Sequence, residues 1–413
     1  MKFNCIDLFA GCGGLSEGFI KVPGFKFVAS IDWDKKCCET LKYNLVKNNK
    51  ISDAEKKVIW FDLQNVKKLL FGWSKKEGYG SHYYSKTGIS KILQEVSNID
   101  VIIGGPPCQA YSVAGRIRDT NGMKEDYRNY LFESYTKLVN YFKPKVFIFE
   151  NVPGMLSAKP GGKLVTERIR ASFKKSGYEI ISDIKSNAVF DCSEYGVPQI
   201  RKRVILLGIR KDIFEEKTQE VIKDFYYNIL PNFKTNKLQT VKLAISDLPK
   251  FFPSKKVSDK NKHPYSPYTS SIPNHSPRFH NSRDILIFKE LAKDANLNFS
   301  KYSNVNAIKE LYTRKTGKTS SLHKYHVLKW DKPSTTIVAH LHKDGLRHIH
   351  PDYKQARSIT IREAARLQSF KDSFEFLGSQ TDQYRMVGNA VPPLFSEALG
   401  KAVKALFLKY FKN

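Results

Sequence analysis

The first half of the chain alternates short apolar runs with stretches of helical patterning. Strand–helix–strand alternation of this kind favours a doubly wound α/β sheet, because each helix carries the chain back to begin the next parallel strand. We therefore predict a mostly parallel, Rossmann-like sheet. Its strands are expected near residues 3–9, 27–31, 101–103, 146–149 and 204–209, with helices near 35–47, 129–141 and 162–175.

The second half of the chain has a different composition. Residues 250–283 are rich in Lys, Pro, Ser, His and Asn, with interleaved aromatic residues and poor strand alternation. We predict a smaller, loop-rich domain at 212–384 and a larger domain formed by 1–211 together with 385–413. Within the smaller domain a short helix is expected near 285–294, and helical patterning resumes from Ile361. Pro392 and Pro393 are predicted to begin a last amphipathic helix that runs to about Tyr410, since proline is favoured in a first helical turn.

The charge of the chain indicates a polyanionic partner. Its 413 residues carry a formal net charge of +29, with a sequence pI of about 9.7. Such an excess is typical of proteins that bind nucleic acid, although a generally lysine-rich proteome would also produce it, and charge alone does not separate DNA from RNA. No apolar run approaches the ~20 residues needed to cross a bilayer, and residues 1–10 lack the layout of a signal peptide. We expect a cytoplasmic protein without a membrane partner.

The cysteines predict free thiols and give no sign of a disulfide framework or a zinc site. In the cytoplasm they should stay reduced. Cys108 stands apart because it follows two prolines, and the other five have the context of small buried residues. We expect no metal centre, and the histidines within 340–350 suit phosphate contacts or packing as well as metal binding. No two of the six have C-x-x-C spacing: Cys5, Cys12, Cys37, Cys38, Cys108 and Cys192.

A glycine-rich turn follows the first predicted strand. In residues 7–14, DLFAGCGG, glycines would let a ligand approach the backbone closely at the carboxyl end of the sheet, where ligands of open α/β sheets bind. Asp32, at the end of the second strand, is placed to accept from ribose hydroxyls, and Asp62 could accept from an adenine amino group. A tight turn without a ligand, and aspartates that cap helices or form turns, are the alternatives.

The next two strands end in residues with catalytic chemistry. Residues 104–112, GGPPCQAYS, place Cys108 in what we predict to be a rigid, exposed turn, which suits a nucleophilic thiolate. Glu150 ends the following apolar strand at the same edge of the predicted sheet, where it could donate a proton to a heterocycle nitrogen. A structural cysteine in a proline-rich turn is the alternative interpretation of Cys108.

Two arginines precede the last strand of the predicted sheet. If residues 199–203, QIRKR, are extended, Arg201 and Arg203 point to the same side, because side chains two apart share a face. A solvated, basic strand end is the alternative.

Six segments together resemble the ordered signature blocks of DNA (cytosine-5)-methyltransferases of the bacterial restriction–modification type. The resemblance implies the class I methyltransferase fold, with an S-adenosylmethionine-binding domain at 1–211 and 385–413 and a target-recognition domain at 212–384. It implies an enzyme that flips a cytosine out of a specific duplex site and methylates carbon 5, leaving S-adenosylhomocysteine. The segments span nearly the whole chain: 7–14, 106–109, 150–152, 199–203, 362–370 (REAARLQSF) and 388–393 (GNAVPP).

The resemblance also implies roles for the matched residues. Cys108 would form a covalent adduct with cytosine, and Glu150 would contact the ring. Arg203, with Arg201 nearby, would make a further contact with the ring or the catalytic loop. S-Adenosylmethionine would lie against eleven residues, among them Asp32 at the ribose, Trp33 at the adenine ring and Asp62 at its amino group. The full set is Phe9, Gly11, Gly13, Leu15, Asp32, Trp33, Asp62, Pro107, Leu131, Asn389 and Ala390.

Other functions are compatible with parts of this pattern. A tRNA cytosine-5 methyltransferase of the same family would share these residues, although the large basic variable region favours duplex DNA. A nucleotide-binding oxidoreductase or a non-catalytic DNA-binding relative would explain the glycine turn, but not Cys108 together with Glu150. We expect double-stranded DNA as the partner, a cognate restriction endonuclease in the same system, and a monomer.

Overall fold

The computed structural model describes residues 2–74, 79, 83–107, 130–256, 262–268, 270–297, 301–319, 325–343 and 345–411. The chain divides into two compact units. The first comprises Met1–Tyr195, Lys202–Thr235 and Val391–Asn413, and the second comprises Gly196–Arg201 and Asn236–Ala390.

An eight-stranded sheet forms the centre of the first unit. Its strands, in chain order, are β1 (Phe3–Leu8), β2 (Phe25–Asp32), β3 (Val58–Trp60), β4 (Val101–Gly104), β5 (Val146–Asn151), β6 (Tyr178–Ile180), β7 (Val189–Asp191) and β8 (Lys202–Arg210). The strand order is β3-β2-β1-β4-β5-β8-β6, and β7 also pairs with β8. Strands β1 to β5 are parallel, and β8 runs antiparallel to its neighbours. The predicted mostly parallel α/β sheet is confirmed.

Helices connect the strands of the first unit and form much of the second. The first unit contains α1 (Gly14–Ile20), α2 (Lys35–Lys47), α3 (Ala54–Lys57), α4 (Val66–Phe71), α5 (Ile92–Glu95), α6 (Leu131–Phe142), α7 (Val165–Lys175), α8 (Ile184–Asn187), α9 (Lys211–Phe214) and α10 (Thr218–Asp224). The second contains α11 (Val241–Ile245), α12 (Ser282–Leu297), α13 (Val305–Thr316), α14 (Ile361–Leu367) and α15 (Gln380–Asn389). The last helix, α16 (Pro393–Tyr410), returns to the first unit. Within the described ranges, every helix is too short or too polar to cross a membrane.

The central strands are apolar along their whole length. Every residue of β4 and β5 is buried, as expected for parallel strands covered on both faces. Phe147 and Phe149 are completely buried, and burial of each such side chain stabilises the fold by ~1.5–3 kcal/mol. The hydroxyl of Tyr135 in α6 lies 2.9 Å from Ile148 O, which satisfies a polar group that is buried among these rings. Polar residues therefore appear where the strands end.

The end of the chain packs in the first unit. Helix α16 begins at Pro393, as predicted from the two adjacent prolines. Ser396 Oγ donates to Leu15 O in α1 over 2.5 Å. The C-terminal helix is thereby joined to the helix that follows the glycine turn.

Residues 212–235 belong to the first unit, whereas the sequence pattern places the start of the smaller domain at 212. The Tyr226 hydroxyl explains the difference: it accepts from Leu207 N–H and donates to Ile205 O, each over 2.8 Å. These bonds attach the segment to β8. The second unit consequently begins its main segment at Asn236 and continues to Ala390.

The second unit has an apolar core of its own. Phe288 and Leu291 of α12 pack with Leu311 of α13 in this cluster. A short antiparallel pair, β9 (Phe252–Pro253) with β10 (Tyr265–Ser266), lies in the same unit. The helix predicted near 285–294 is present as α12. Helices α14 and α15 lie in the region from Ile361 where helical patterning was predicted, and α13 adds a helix that the sequence pattern did not indicate.

Candidate active site

The carboxyl ends of the central parallel strands lie together at one edge of the sheet. Leu8 of β1 pairs with Gly104 of β4, and Gly104 pairs with Phe149 of β5. Because β8 is antiparallel to β5, its first residues lie at the same edge, where Val204 pairs with Asn151. Four separate segments with predicted site residues therefore reach this edge.

Glu150 and Arg203 form an ion pair there. Arg203 Nε lies 2.8 Å from Glu150 Oε1, and the two side chains are only 10% and 12% exposed. Arg203 Nη1 also donates to Lys202 O over 2.8 Å, which fixes the guanidinium. Charge-assisted hydrogen bonds are roughly twice as strong as neutral ones. The pair thus holds a carboxylate in a defined position at the strand end.

The segment that precedes Cys108 packs against the same carboxylate. A Cβ atom on Gly105 would lie 2.5 Å from Glu150 Oε2, so glycine is required here unless the carboxylate moves. Asn151 Nδ2 donates to Pro106 O over 3.3 Å, which ties the end of β5 to the segment after β4. Cys108 itself lies outside the described residues, and Pro107 is the last described residue before it.

Arg201 has different partners from Arg203. Its guanidinium is buried and donates to three backbone carbonyls, those of Ile337, Gly388 and Ala390, over 2.8–3.0 Å. Arg201 and these carbonyls all belong to the second unit, whereas Arg203 is part of β8 in the first. Arg203 is thus paired with Glu150, and Arg201 holds backbone carbonyls of the second unit.

The glycine turn after β1 is organised by Asp32. One carboxylate oxygen accepts from Gly11 N–H and the other from Asp34 N–H, each over 2.8 Å. Burial raises the pKa of Asp32 to about 6, although these hydrogen bonds oppose the increase. Gly11 has a φ of +56°, and a Cβ atom there would meet nothing within 4 Å among the residues that the structure describes, so those residues leave the space over the turn open. Asp32 orders the turn, and its remaining lone pairs could accept further hydrogen bonds.

The residues predicted to contact adenine follow β2 and β3. Trp33 is 60% exposed, and its carbonyl accepts from Trp60 Nε1 over 2.7 Å. Asp62 accepts from the backbone and side-chain amides of Gln64 over 3.0 and 3.3 Å, the turn-forming arrangement that the sequence also allowed. Since Asp32 pairs with Trp60, these residues lie at neighbouring strand ends.

The other predicted cofactor residues are spread over both units. In the first unit they lie at the glycine turn, after β4 and at the start of α6, and in the second they lie at a helix end. They are Phe9, Gly13 and Leu15 at the turn, Pro107 after β4, Leu131 at the start of α6, and Asn389 and Ala390 at the end of α15.

Asp7 and Ser16 form a buried polar pair that the sequence reasoning missed. Ser16 Oγ donates to Asp7 Oδ2 over 2.5 Å, and Asp7 Oδ1 has no hydrogen-bond partner within the described part of the chain. Burial raises the pKa of Asp7 to about 7, and the charge of Asp32 contributes to the increase. The available signal was an acidic residue between the apolar residues Ile6 and Leu8 of a strand.

The five described cysteines are buried thiols, as predicted. Burial raises the pKa of Cys12 to about 12, and it raises the pKa values of Cys5, Cys37 and Cys38 well above their usual value. Cys192 is buried as well. A thiol that stays protonated is a poor nucleophile, so these side chains are unsuited to covalent catalysis.

The histidines within 340–350 have structural partners. His348 Nε2 lies 3.2 Å from Thr336 O, and His350 Nδ1 accepts from Asp352 N–H over 3.1 Å. His350 Nε2 lies 3.6 Å from Glu363 Oε1, and burial lowers the pKa of His350 to about 3, so this ring is neutral. Among the residues that the structure describes, no group of three or more His, Cys, Asp or Glu side chains could hold a metal ion.

Comparison with known sequences covers nearly the whole chain. The family described as C-5 cytosine-specific DNA methylase matches residues 3–73 and 79–405. The chain is 36% identical to Type II methyltransferase M.Bpa9945I of Bacillus paralicheniformis, over 97% of this chain and 98% of that protein. It is 30% identical to Type II methyltransferase M.DdeI of Desulfomicrobium norvegicum, over 99% of this chain and 89% of that protein.

Solved structures share the fold. A prophage-encoded candidate DNA modification methyltransferase of E. coli has a TM-score of 0.59 at 24% identity, covering 98% of this chain and 100% of its own. The Entamoeba histolytica methyltransferase EhMeth has a TM-score of 0.54 at 15% identity, covering 100% of both chains. At these identities the likeness concerns the fold alone.

Proposed function

The chain belongs to the family of C-5 cytosine-specific DNA methylases and is a DNA (cytosine-5)-methyltransferase, and we propose that it modifies a specific duplex site through a covalent bond between Cys108 and the target cytosine. The observation that carries the proposal is the Glu150–Arg203 pair at the end of β5. The next residue, Asn151, donates to Pro106 O and so ties this strand end to the segment that precedes Cys108. A buried carboxylate beside a guanidinium matches the amino and carbonyl edges of a pyrimidine ring.

The chemistry explains why these residue types are needed. Carbon 5 of cytosine is a poor nucleophile, and addition of a thiolate at carbon 6 activates it by turning the ring into an enamine. Cys108 suits this step because a thiolate is both a strong nucleophile and a fair leaving group. Glu150 would donate a proton to ring nitrogen 3 from its protonated carboxyl group and accept from the amino group as charge develops, and Arg203 would stabilise the oxygen on carbon 2. The cycle ends when the proton on carbon 5 leaves and Cys108 is eliminated.

We assign the cofactor site to the glycine turn and the neighbouring strand ends. The open space over Gly11, the acceptor Asp32 and the exposed ring of Trp33 fit S-adenosylmethionine, which requires a closely approached turn, a ribose acceptor and an aromatic face. When bound, S-adenosylmethionine supplies a sulfonium methyl group, and S-adenosylhomocysteine is the product. Family resemblance adds Asp62, Phe9, Gly13, Leu15, Pro107, Leu131, Asn389 and Ala390.

We assign target recognition to the second unit. Its composition differs from that of the sheet, and it exposes several lysines, including Lys250, Lys255 and Lys256. The net charge of +29 supports attraction to the DNA backbone. A base inside a duplex cannot present carbon 6 to a thiol, so base flipping is required, at a cost of a few kcal/mol.

The similarity to Type II methyltransferases favours duplex DNA over tRNA as the substrate of this chain. It also supports the presence of a cognate restriction endonuclease in the same system. We expect the enzyme to act as a monomer, in the cytoplasm where the host DNA lies.

Bisulfite sequencing of DNA from cells that express the chain tests the reaction, the base and the site together. We expect 5-methylcytosine within one short sequence. In the presence of S-adenosylmethionine, purified protein should also form a covalent complex with duplex DNA that carries 5-fluorocytosine at that position, because after methyl transfer the fluorine on carbon 5 cannot leave as the proton does. Methylation of tRNA without methylation of duplex DNA would favour the tRNA alternative.

Two cysteine variants test the nucleophile. Cys108→Ser should abolish methyl transfer and the covalent complex while it retains affinity for S-adenosylhomocysteine. Cys192→Ser is the matched control, since it makes the same change at a buried thiol and should retain turnover. Methyl transfer by Cys108→Ser would refute the assignment.

A further inference from the structure

The end of α15 is held by buried side chains of the second unit. The last carbonyl groups of an α-helix have no partner within the helix. Gln368 Nε2 donates to Val387 O over 2.7 Å. Arg201 Nη2 donates to Gly388 O and Ala390 O over 2.9 and 3.0 Å. A guanidinium at a helix C-terminus also interacts favourably with the helix dipole.

A second set of bonds fixes the side chains that hold this helix end. Gln199 Nε2 donates to Gln368 Oε1, and Gln199 Oε1 accepts from Ile337 N–H, each over 2.9 Å. Arg201 Nη1 donates to Ile337 O over 2.8 Å. Gln199, Arg201 and Gln368 are at most 1% exposed, so water cannot readily replace a broken bond.

Gly388 brings the helix end into contact with another backbone segment. A Cβ atom on Gly388 would lie 2.3 Å from Val338 O, which leaves no room for a side chain. Asn389 lies between the two carbonyls, at 388 and 390, that Arg201 holds. The position of residues 388–390 therefore depends directly on the Arg201 guanidinium.

We propose that Arg201 is a positioning residue for the cofactor, which acts by holding residues 388–390, and that it is not a catalytic residue. The inference rests on the proposed function, in which Asn389 and Ala390 contact S-adenosylmethionine. Both Nη atoms of Arg201 are engaged by backbone carbonyls, whereas Arg203 is the arginine bonded to Glu150. Arg201 then sets the affinity for the cofactor, and Arg203 acts in the chemical step.

The substitution Arg201→Lys separates these roles. It keeps the charge, but one ammonium group cannot span the carbonyls that the planar guanidinium joins. We expect affinity for S-adenosylhomocysteine, measured by calorimetry, to fall about tenfold, which corresponds to ~1.4 kcal/mol. The KM for S-adenosylmethionine should rise in parallel, and kcat at saturating cofactor should stay within about twofold of the wild-type value.

A second variant tests the same helix end. Gln368→Met removes the donors to Val387 O and Ala390 O at similar volume, and it should weaken cofactor affinity in the same direction. If Arg201→Lys does not fold, Gln368→Met tests the inference in its place.

Arg362 provides a matched control. It is as buried as Arg201 and donates to the carbonyls of Pro273, Lys371 and Phe374, none of which belongs to residues 388–390. Arg362→Lys should lower the melting temperature without changing affinity for S-adenosylhomocysteine.

Two results would overturn the inference: an equal loss of affinity in Arg362→Lys, or unchanged affinity with reduced kcat in Arg201→Lys. A wild-type chain that neither binds S-adenosylhomocysteine nor methylates DNA would contradict the proposed function itself, and the inference with it.

Discussion

Replacement of Asp7 by asparagine should stabilise the protein at alkaline pH. Asp7 lies within β1, is fully buried, and accepts a hydrogen bond from Ser16 Oγ. Burial raises the pKa of this carboxyl from an ordinary value of 3.8 to about 7. Asparagine has nearly the same shape, and its carbonyl oxygen can accept the same bond. The substitution therefore removes a charge with little change in packing.

The expected gain follows from the linkage between pKa and stability. From about pH 4 to about pH 7, the folded state holds a proton that the unfolded state has released, so stability falls as the pH rises through this window. The change from 3.8 to about 7 corresponds to ~4 kcal/mol at 1.36 kcal/mol per pKa unit. Asp7→Asn should match the wild type near pH 4 and be more stable by up to ~4 kcal/mol near pH 8.

Urea unfolding across this pH range measures the difference directly. Ser16→Ala offers a second test: the Ser16 hydrogen bond lowers the pKa of Asp7, so its removal should move the decline in stability to higher pH. Asp183→Asn is a control for which we expect the change in stability to have the opposite sign. Hydrogen bonds from Ser186 lower the pKa of Asp183, so removal of that carboxylate should reduce stability near pH 8.

Parallel pH profiles for the wild type and Asp7→Asn would refute this reasoning, because they would mean that the carboxyl titrates alike in the folded and unfolded states. Burial also raises the pKa of Asp32 to about 6, which adds a decline over the same window. That decline is present in both chains, and the part of it that comes from the burial of Asp32 cancels in the difference between them.

Two further predictions concern catalysis and DNA binding. Glu150→Gln should lower kcat by about 10²–10⁴-fold, the range for removal of a positioned acid–base group, with unchanged affinity for S-adenosylhomocysteine in calorimetry. Turnover near the wild-type rate would remove Glu150 from the mechanism. Replacement of the exposed Lys250, Lys255, Lys256 and Lys262 by alanine should reduce the slope of log K against log salt by about 0.9 for each DNA phosphate that these lysines neutralise, measured by fluorescence anisotropy with duplex DNA. An unchanged slope would place the DNA footprint on other lysines.

The fold was predictable from the sequence where local periodicity and burial agree. Helix Lys35–Lys47 has its predicted bounds because the Asp34 carboxylate caps it, accepting from Lys36 N–H and Cys37 N–H. Strands β6 and β7 were missed because three residues are too few to show a period. Helix α13 was missed for a different reason: Leu311 is its one fully buried residue, so its apolar stripe is weak.

Partners that are distant in sequence were not predictable. The edge position of Glu150 followed from strand topology, because parallel strands end at the same side of a sheet. Its pairing with Arg203 depends on the antiparallel direction of β8, which periodicity does not report. Arg201 and Arg203 are two residues apart, yet one meets carbonyls and the other a carboxylate. The hydroxyl of Tyr226 likewise assigns residues 212–235 to the sheet through contacts that no local pattern indicates.

Ionised buried carboxyl groups have opposite effects on folding stability in the two units. Burial alone would raise the pKa of Glu363, but the guanidinium of Arg357, at 2.6 and 2.7 Å, holds it well below its usual range. Removal of either partner of such a pair typically costs ~3–5 kcal/mol. Burial raises the pKa values of Asp7 and Asp32, and the charge of Asp32 adds to the increase at Asp7, so ionisation of these carboxyls lowers stability. Charges that destabilise a fold persist where function requires them. The two acids support the glycine turn, and we therefore interpret their raised pKa values as the cost of building a ligand site from buried carboxyl groups.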